Sequence, residues 1–274
     1  MILLVSSNKD LASQNIKTQI LNNYPFKQIS QSFQQNPVYN ATVNKQNVLL
    51  VTLSGESVKA QVLPSSFPDT KLFVFISRHS SQSGKPTLSV HAPGNFVKAE
   101  LGGLPRLVSV APASAMSDAL KTLQKNKSAL RLNYEISYEC THHGPSLNVP
   151  TMFVELGSSE LQWQDSIAAQ VVANAAMDAI ANFASPAASA VLGVGGPHYS
   201  EKFTRMALNG KAIFGHIIPK YAISAVDSEI LLQCAEKTLE RVTEALLDWK
   251  GIKSEDKPKL LRCLQQANIH FEKV

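Results

Sequence analysis

From Val48 onward the chain keeps returning to short runs of aliphatic, β-branched and aromatic residues. They are VLLVTLSG from Val48, LFVFISRH from Leu72, TLSVHAPGNF from Thr87, RLVSVAP from Arg106, YEISYEC from Tyr134, TMFVELG from Thr151, SAVLGVGG from Ser189 and AIFGHIIP from Ala212. Runs of this kind mark strands covered by protein on both faces. Helical spacing separates several of them, over Ala115 to Lys127, Gln164 to Phe183, Ser200 to Asn209, Asp227 to Trp249 and Lys257 to Gln266. The start of the chain repeats the theme. ILLV (Ile2 to Val5) is followed by a polar turn and DLASQNIKTQIL, whose Leu11, Ile16, Ile20 and Leu21 fall near one helical face. The alternation predicts an α/β fold: a single layered domain over residues 1–274 with a mostly parallel or mixed central sheet flanked by helices.

No internal repeat or linker interrupts this pattern. The Gln- and Asn-rich stretch from Lys27 to Asn47 is compatible with short strands or with a surface excursion. SEDKP near Ser254 reads as a turn between two C-terminal helices, Pro258 suiting the first turn of the second. MILLVSSNKD turns polar too soon for the apolar core of a signal peptide, which predicts a cytosolic protein. The low-charge stretch from Ser166 to Pro197 is broken by Gln170, Asn174, Asp178, Asn182 and Pro186, so a buried segment is expected there rather than a membrane span. Cys140, Cys234 and Cys263 are far apart and lack CxxC spacing, which argues against a disulfide framework and a Cys-only zinc site.

Charge is unevenly spread. Residues 1–140 carry 14 Lys and Arg against 7 Asp and Glu, a net of +7, whereas residues 141–231 carry 4 against 7, a net of −3. A basic half beside an acidic, histidine-bearing segment suits a polyanion held at one surface and chemistry done at another.

The histidines are not scattered. His79 follows LFVFIS, His91 lies in SVHAPGN, His142 and His143 follow YEISYEC, His198 follows VLGVGGP and His216 lies in FGHIIP. Most fall at or just past a predicted strand end, where open α/β sheets bind ligands. With Glu155 in TMFVELG they form a candidate metal or acid–base cluster, because imidazole nitrogen and carboxylate oxygen are good zinc ligands. The same groups can also act without metal, a carboxylate orienting a histidine base. On an extended backbone neighbouring side chains point apart, so His142 and His143 are not expected to serve one ion. His270, alone in a loop, is expected to be solvated.

Three other segments carry candidate chemistry. GVGGPHYSEKF places Gly193, Gly195 and Gly196 between a strand and a helix, where backbone N–H groups approach an anion, and puts Lys202 in the first helical turn. A tight turn capped by Ser200 is the alternative. ISRHSSQSGKP offers Arg78 and Lys85 to a phosphate or carbonyl group. No GxSxG elbow supports a serine nucleophile, and Cys140 beside His142 lacks a third orienting group for a thiol nucleophile.

SRHSSQSGKPTLSVHAPGNF, ECTHHGPSLNVPTMFVELGSSE, GVGGPHYSEKFT and FGHIIPKYA, in this order, resemble the archaeal and plant type of D-aminoacyl-tRNA deacylase over most of the chain, from Met1 to about Asp227. The resemblance implies a phosphorylase/hydrolase-like α/β fold, dependence on zinc, and D-aminoacyl-tRNA as partner and substrate. Its ester would be hydrolysed to free D-amino acid and tRNA by a zinc- or histidine-activated water. His142, His143, Glu155 and His198 are then the leading catalytic residues and also metal candidates, followed as metal candidates by His79, His91 and His216. Arg78, Lys85, Lys202 and the three glycines are candidates for the tRNA terminus. Backbone N–H groups around Gly144 or Gly195 are the expected oxyanion donors. Two alternatives remain at this level: a nucleoside phosphorylase-like enzyme using the Gly-rich loop for phosphate, and a noncatalytic tRNA-binding module with a structural zinc.

Overall fold

The computed structural model describes residues 1–183, 187 and 189–274; Pro186, one of the interruptions of the low-charge stretch, lies outside them. The first half runs β1 (Ile2–Ser7), α1 (Leu11–Asn23), β2 (Lys27–Phe33), β3 (Asn36–Val43), β4 (Gln46–Leu53), α2 (Leu63–Ser66), β5 (Leu72–Arg78), β6 (Thr87–His91), β7 (Gly94–Asn95), β8 (Leu107–Val108), α3 (Ala113–Ala129) and β9 (Glu135–Tyr138). The second runs β10 (Thr151–Gly157), α4 (Glu160–Trp163), α5 (Ser166–Asn182), β11 (Ser189–Val194), α6 (Glu201–Leu208), β12 (Phe214–Ile218), α7 (Ser228–Glu236), β13 (Arg241–Leu247), α8 (Lys257–Gln266) and β14 (Phe271–Lys273).

Eight strands form a mixed sheet in the order β2-β3-β4-β1-β5-β10-β6-β9. Its centre, β4-β1-β5-β10, is parallel; β3 runs antiparallel to β4, and β6 antiparallel to β10. Both faces of the centre are buried, which the two-residue period of a strand turns into two cores. Ile2, Leu4, Val48, Leu50, Val74 and Ile76 face α1, α3 and α5, while Leu3, Val5, Leu49, Val51, Phe73 and Phe75 pack on Leu63 and Phe67. The Gln- and Asn-rich segment supplies β2 and β3. There the buried Val38 and Ala41 of β3 join the sheet and mostly exposed β2 forms its edge.

A second, all-parallel sheet, β12-β11-β13-β14, is sandwiched between the first core and α7 and α8. Val191, Phe214, Ile217 and Leu246 pack toward the main core. Leu192, Val194, Ala245 and Leu247 pack on the other side against Ile230, Leu231, Leu260 and Leu264.

The expected helix from Asp227 to Trp249 is corrected by this sheet. It stops at Glu236, and Arg241–Leu247 is a strand. Its apolar residues are compatible with either period, and partnership decides: β13 finds β11 on one side and β14 on the other. Between helix and strand, Glu240 accepts hydrogen bonds from the backbone N–H groups of Ala113 (2.9 Å) and Ser114 (2.8 Å), fixing the start of α3. RLVSVAP contributes only the two-residue strand β8.

Candidate active site

A cavity of about 410 Å3 opens beyond the carboxyl ends of β1, β4, β5 and β10 and is lined by Ser7, Lys9, Glu56, Ser77, Arg78, His79 and Glu155 among others. Asp10 ties two of these ends together. Its carboxylate accepts from Ser13 N at 2.9 Å, capping α1, and from Arg78 N at 2.8 Å at the end of β5. His142, His143 and His198 reach the cavity from loops after β9 and β11. Two isolated bridges hold those loops: Pro93 with His142, and Glu139 with Tyr199.

Buried His91 packs against the rings of His142 and His143, which line the inner wall. Each engages a backbone carbonyl through Nδ1: Ala92 O at 3.3 Å, Cys140 O at 2.8 Å and Gly144 O at 2.7 Å, respectively. A carbonyl only accepts, so Nδ1 carries the proton and Nε2 keeps its lone pair in all three rings. Ligand atoms of the three lie within 4.8 Å of one another. Fixing the tautomer through a carbonyl is how metal-binding imidazoles are usually held. Burial, followed by mutual repulsion, keeps His142 well below the ordinary histidine range, and the same causes bring His143 down to about 4. Phe153 stacks on His91 with centroids 5.1 Å apart. His91 Nε2 is buried without a hydrogen-bond partner, which fits a metal-ligand atom.

The two adjacent histidines thus converge rather than diverge, their centroids 4.3 Å apart. The expectation from an extended backbone fails because His143 has φ of 43°, in the left-handed region, which folds its ring back beside His142.

A second network surrounds Glu139, which the sequence did not single out. Its side chain is fully buried; Oε2 accepts from His198 Nε2 at 2.7 Å, and Oε1 lies 3.0 Å from His79 Nδ1. The other side of His79 meets Tyr199 OH at 2.6 Å, and Glu155 Oε2 is 3.5 Å from His79 Nδ1. Burial opposes charge on both rings, but hydrogen bonding to Glu139 and Glu155 pushes His79 up to about 12, and bonding to Cys140 and Glu139 pushes His198 up to about 10. Glu155 would be raised by burial, yet bonding from His79 holds it well below the carboxylate range. Ser77 Oγ donates to Glu155 Oε1 at 2.6 Å, fixing the carboxylate. Two neutral imidazoles, His142 and His143, therefore stand beside a pair of charged ones and two ionised carboxylates.

The sequence model of the family described as D-aminoacyl-tRNA deacylase matches residues 66–272. Curated D-aminoacyl-tRNA deacylases are 34% identical over 277 residues in Thermococcus kodakarensis and 37% identical over 281 residues in Methanococcus vannielii, each match covering 99% of both chains. This chain belongs to the D-aminoacyl-tRNA deacylase family. A crystal structure described as a conserved protein of unknown function, 28% identical, superposes with a TM-score of 0.89 and covers 100% of this chain and 95% of its own.

Within this deacylase-family chain the expected residues do not all meet. His79, His91, His142, His143, Glu155 and His198 are brought together, and Arg78 lines the cavity with its guanidinium 5.4 Å from the Trp163 ring. His216 is elsewhere. It is wholly buried, with Nδ1 2.9 Å from Thr141 Oγ1 and Nε2 3.0 Å from Ser109 O, so both nitrogens are spent and it is no metal candidate.

Gly193, Gly195, Gly196 and Lys202 are not among the cavity's lining residues. A carboxylate already stands at the loop: Asp248 Oδ2 comes within 3.2 Å of where a Cβ on Gly196 would lie. Lys202 Nζ is held by Asp248 Oδ1 at 2.6 Å and Val274 O at 2.9 Å, which explains a cation in that helical turn without a bound phosphate. Lys85 pairs with Glu135 on the surface. The expected oxyanion donors are also engaged, Gly144 N with Leu101 O at 3.0 Å and Gly195 N with Ile218 O at 2.8 Å. Cys140 does gain a partner, His198 Nδ1 at 3.3 Å, but its thiol is wholly buried and does not line the cavity.

Ser200 precedes α6 without a side-chain cap. The missed Glu139 left only a weak signal, a glutamate three residues before His142 at a strand end.

Proposed function

We propose that this protein hydrolyses the ester joining a D-amino acid to the terminal ribose of tRNA, releasing both, and that its 274 residues work as one cytoplasmic catalytic unit. The observation that carries this is the convergence of three imidazoles, each with Nδ1 fixed by a backbone carbonyl, beside an ionised carboxylate at a cavity that Lys9 and Arg78 help to line. His91, His142 and His143 would hold a zinc ion; the unpartnered, buried Nε2 of His91 fits that role. When bound, zinc supplies a Lewis acid and lowers the pKa of a coordinated water.

The chain's own residues do the rest. Glu155, kept ionised and oriented by Ser77, takes a proton from the attacking water. His198, charged at neutral pH through its bonds to Cys140 and Glu139, lines the cavity with His79, and its positive charge stabilises negative charge developing on the ester carbonyl oxygen. Lys9 and Arg78 meet the anionic RNA terminus at the rim. Trp163, whose indole Nε1–H donates to His79 O at 2.9 Å, ties this rim to the charged ring.

The test is to incubate the protein with D-tyrosyl-tRNA and with L-tyrosyl-tRNA, with and without chelator, and to measure free tyrosine. Release from the D-ester alone, lost on chelation and restored by zinc, is expected. A Glu155→Gln variant that keeps the full rate overturns the assignment of the base.

A further inference from the structure

The second sheet ends beside the cavity. The loop after β11 runs through Gly195, Gly196 and Pro197 into His198, and exposed Tyr221, just past β12, brings its hydroxyl within 3.3 Å of His198 Nδ1. Two neighbours brace that loop. Asp248 N, just past β13, donates to Val194 O at 2.8 Å, and Lys220 N donates to Gly196 O at 2.9 Å. A molecule resting on the carboxyl edge of this sheet therefore rests one loop away from the site.

That edge collects cations. Trp249 follows Asp248 and carries two lysines against one indole: Lys257 Nζ lies 4.6 Å and Lys273 Nζ 3.9 Å from its ring centroid. Lys220 and Lys250 are exposed just past the ends of β12 and β13. Two carboxylates of this region are already committed, Asp248 to Lys202 at 2.6 Å and Glu255 to Lys253 at 3.7 Å. Among the described residues, none of Lys220, Lys250, Lys257 and Lys273 has a carboxylate within ion-pair distance. Two ammonium groups drawn to one ring repel each other, and the indole attracts each far less than a phosphate would. The indole is half-buried and engaged by both lysines, so the patch offers positive charge rather than a surface for stacking bases.

Resting on the deacylase reading above, we infer that Lys257 and Lys273, with Lys220 and Lys250 beside them, hold the phosphate backbone of the acceptor stem of the substrate tRNA. The terminal ribose then enters the cavity past Tyr221 and His198. Continuity selects this occupant: tRNA carries its ester at one end, so a cationic surface one loop from the site meets the phosphates next to that end. Such contacts position the RNA without reading its sequence.

Binding of deacylated tRNA is measured over a salt series for the wild type, Lys257→Gln/Lys273→Gln and the charge-keeping Lys257→Arg/Lys273→Arg. Turnover of the D-tyrosyl ester of adenosine, which has no stem, is measured on the same samples. Losing two phosphate contacts should weaken tRNA binding about tenfold and lower the slope of log affinity against log salt by about 1.4 to 1.8. The short ester should change less than about twofold, and the arginine pair should keep the wild-type slope. An unaltered slope in the glutamine pair, or an equal loss on the short ester, overturns the inference alone. A wild type that releases no tyrosine from D-tyrosyl-tRNA overturns the deacylase activity and this inference with it.

Discussion

Glu139 Oε2 and His198 Nε2 meet at 2.7 Å with the carboxylate wholly out of contact with solvent. Burial opposes the charge on Glu139, but hydrogen bonds from His198 and then His79 hold its carboxyl well below the usual carboxylate range. Removing one partner of such a buried pair leaves the other uncompensated. Glu139→Gln keeps the volume and loses the charge. Its kcat should fall on the order of a hundredfold while KM stays within about threefold, since Glu139 orients His79 and His198 without touching the RNA. Steady-state release of D-tyrosine measures both constants; an unchanged kcat sinks the role.

His91 permits a clean test of the metal. His91→Phe preserves stacking on Phe153 and deletes the unpartnered Nε2. The variant should fold yet retain no zinc by elemental analysis. The wild type, stripped and then given zinc at 1,000 times its Kd, should gain about 4 kcal/mol of stability. A variant that still gains this stability would place the ion elsewhere.

Arg78 lies at the cavity rim, against Trp163, and its guanidinium has no carboxylate within ion-pair distance among the described residues. If it contacts a phosphate, Arg78→Ala should raise KM about tenfold and lower the slope of log affinity against log salt by about 0.7 to 0.9. Titrating salt in a binding assay with the tRNA reads the slope directly; an unaltered slope removes Arg78 from the interface.

The strands were legible because both their faces are buried, so that runs such as LFVFIS carry no competing signal. The helix from Lys257 to Gln266 was equally plain, with Pro258 in its first turn. Where partnership decided, the sequence was mute: the apolar residues of Arg241–Leu247 become a strand only because β11 lies alongside. At the site, histidines at strand ends pointed to the cavity, but His216 looks the same in sequence as His91. They differ in what the two ring nitrogens touch, a property of residues far away in the chain, Ser109 and Lys237 for His216. Glu139 escaped notice because nothing local tells a glutamate destined for burial between two imidazoles from one facing water.

Lys202 separates structure from substrate binding. Its ammonium is partly buried and shared between Asp248 and Val274 O, so Lys202→Met should cost about 1 kcal/mol of stability. Deacylation should change less than twofold, because the lysine does not line the cavity. Urea unfolding and D-tyrosine release, measured on the same sample, distinguish this from a phosphate contact, which would spare stability and raise KM.

His216 sets a pH dependence of stability independent of catalysis. Burial lowers its pKa from 6.5 to about 4, hydrogen bonds to Lys237 O and Ser109 O only partly offsetting it. Between those values the unfolded chain binds a proton that the folded chain refuses, so stability rises with pH across that window. The full contribution, about 3 kcal/mol at 1.36 kcal/mol per pH unit, is present above the unfolded value of 6.5 and is lost as pH falls toward 4. At pH 5 roughly 2 kcal/mol should already be gone. His216→Gln cannot titrate here. It should be less stable than the wild type at pH 7.5, through disturbed bonds to Thr141 and Ser109, but should lose correspondingly less on acidification. Urea midpoints at pH 7.5, 6 and 5 give both curves, and parallel slopes for the two proteins would assign the acid sensitivity to other groups.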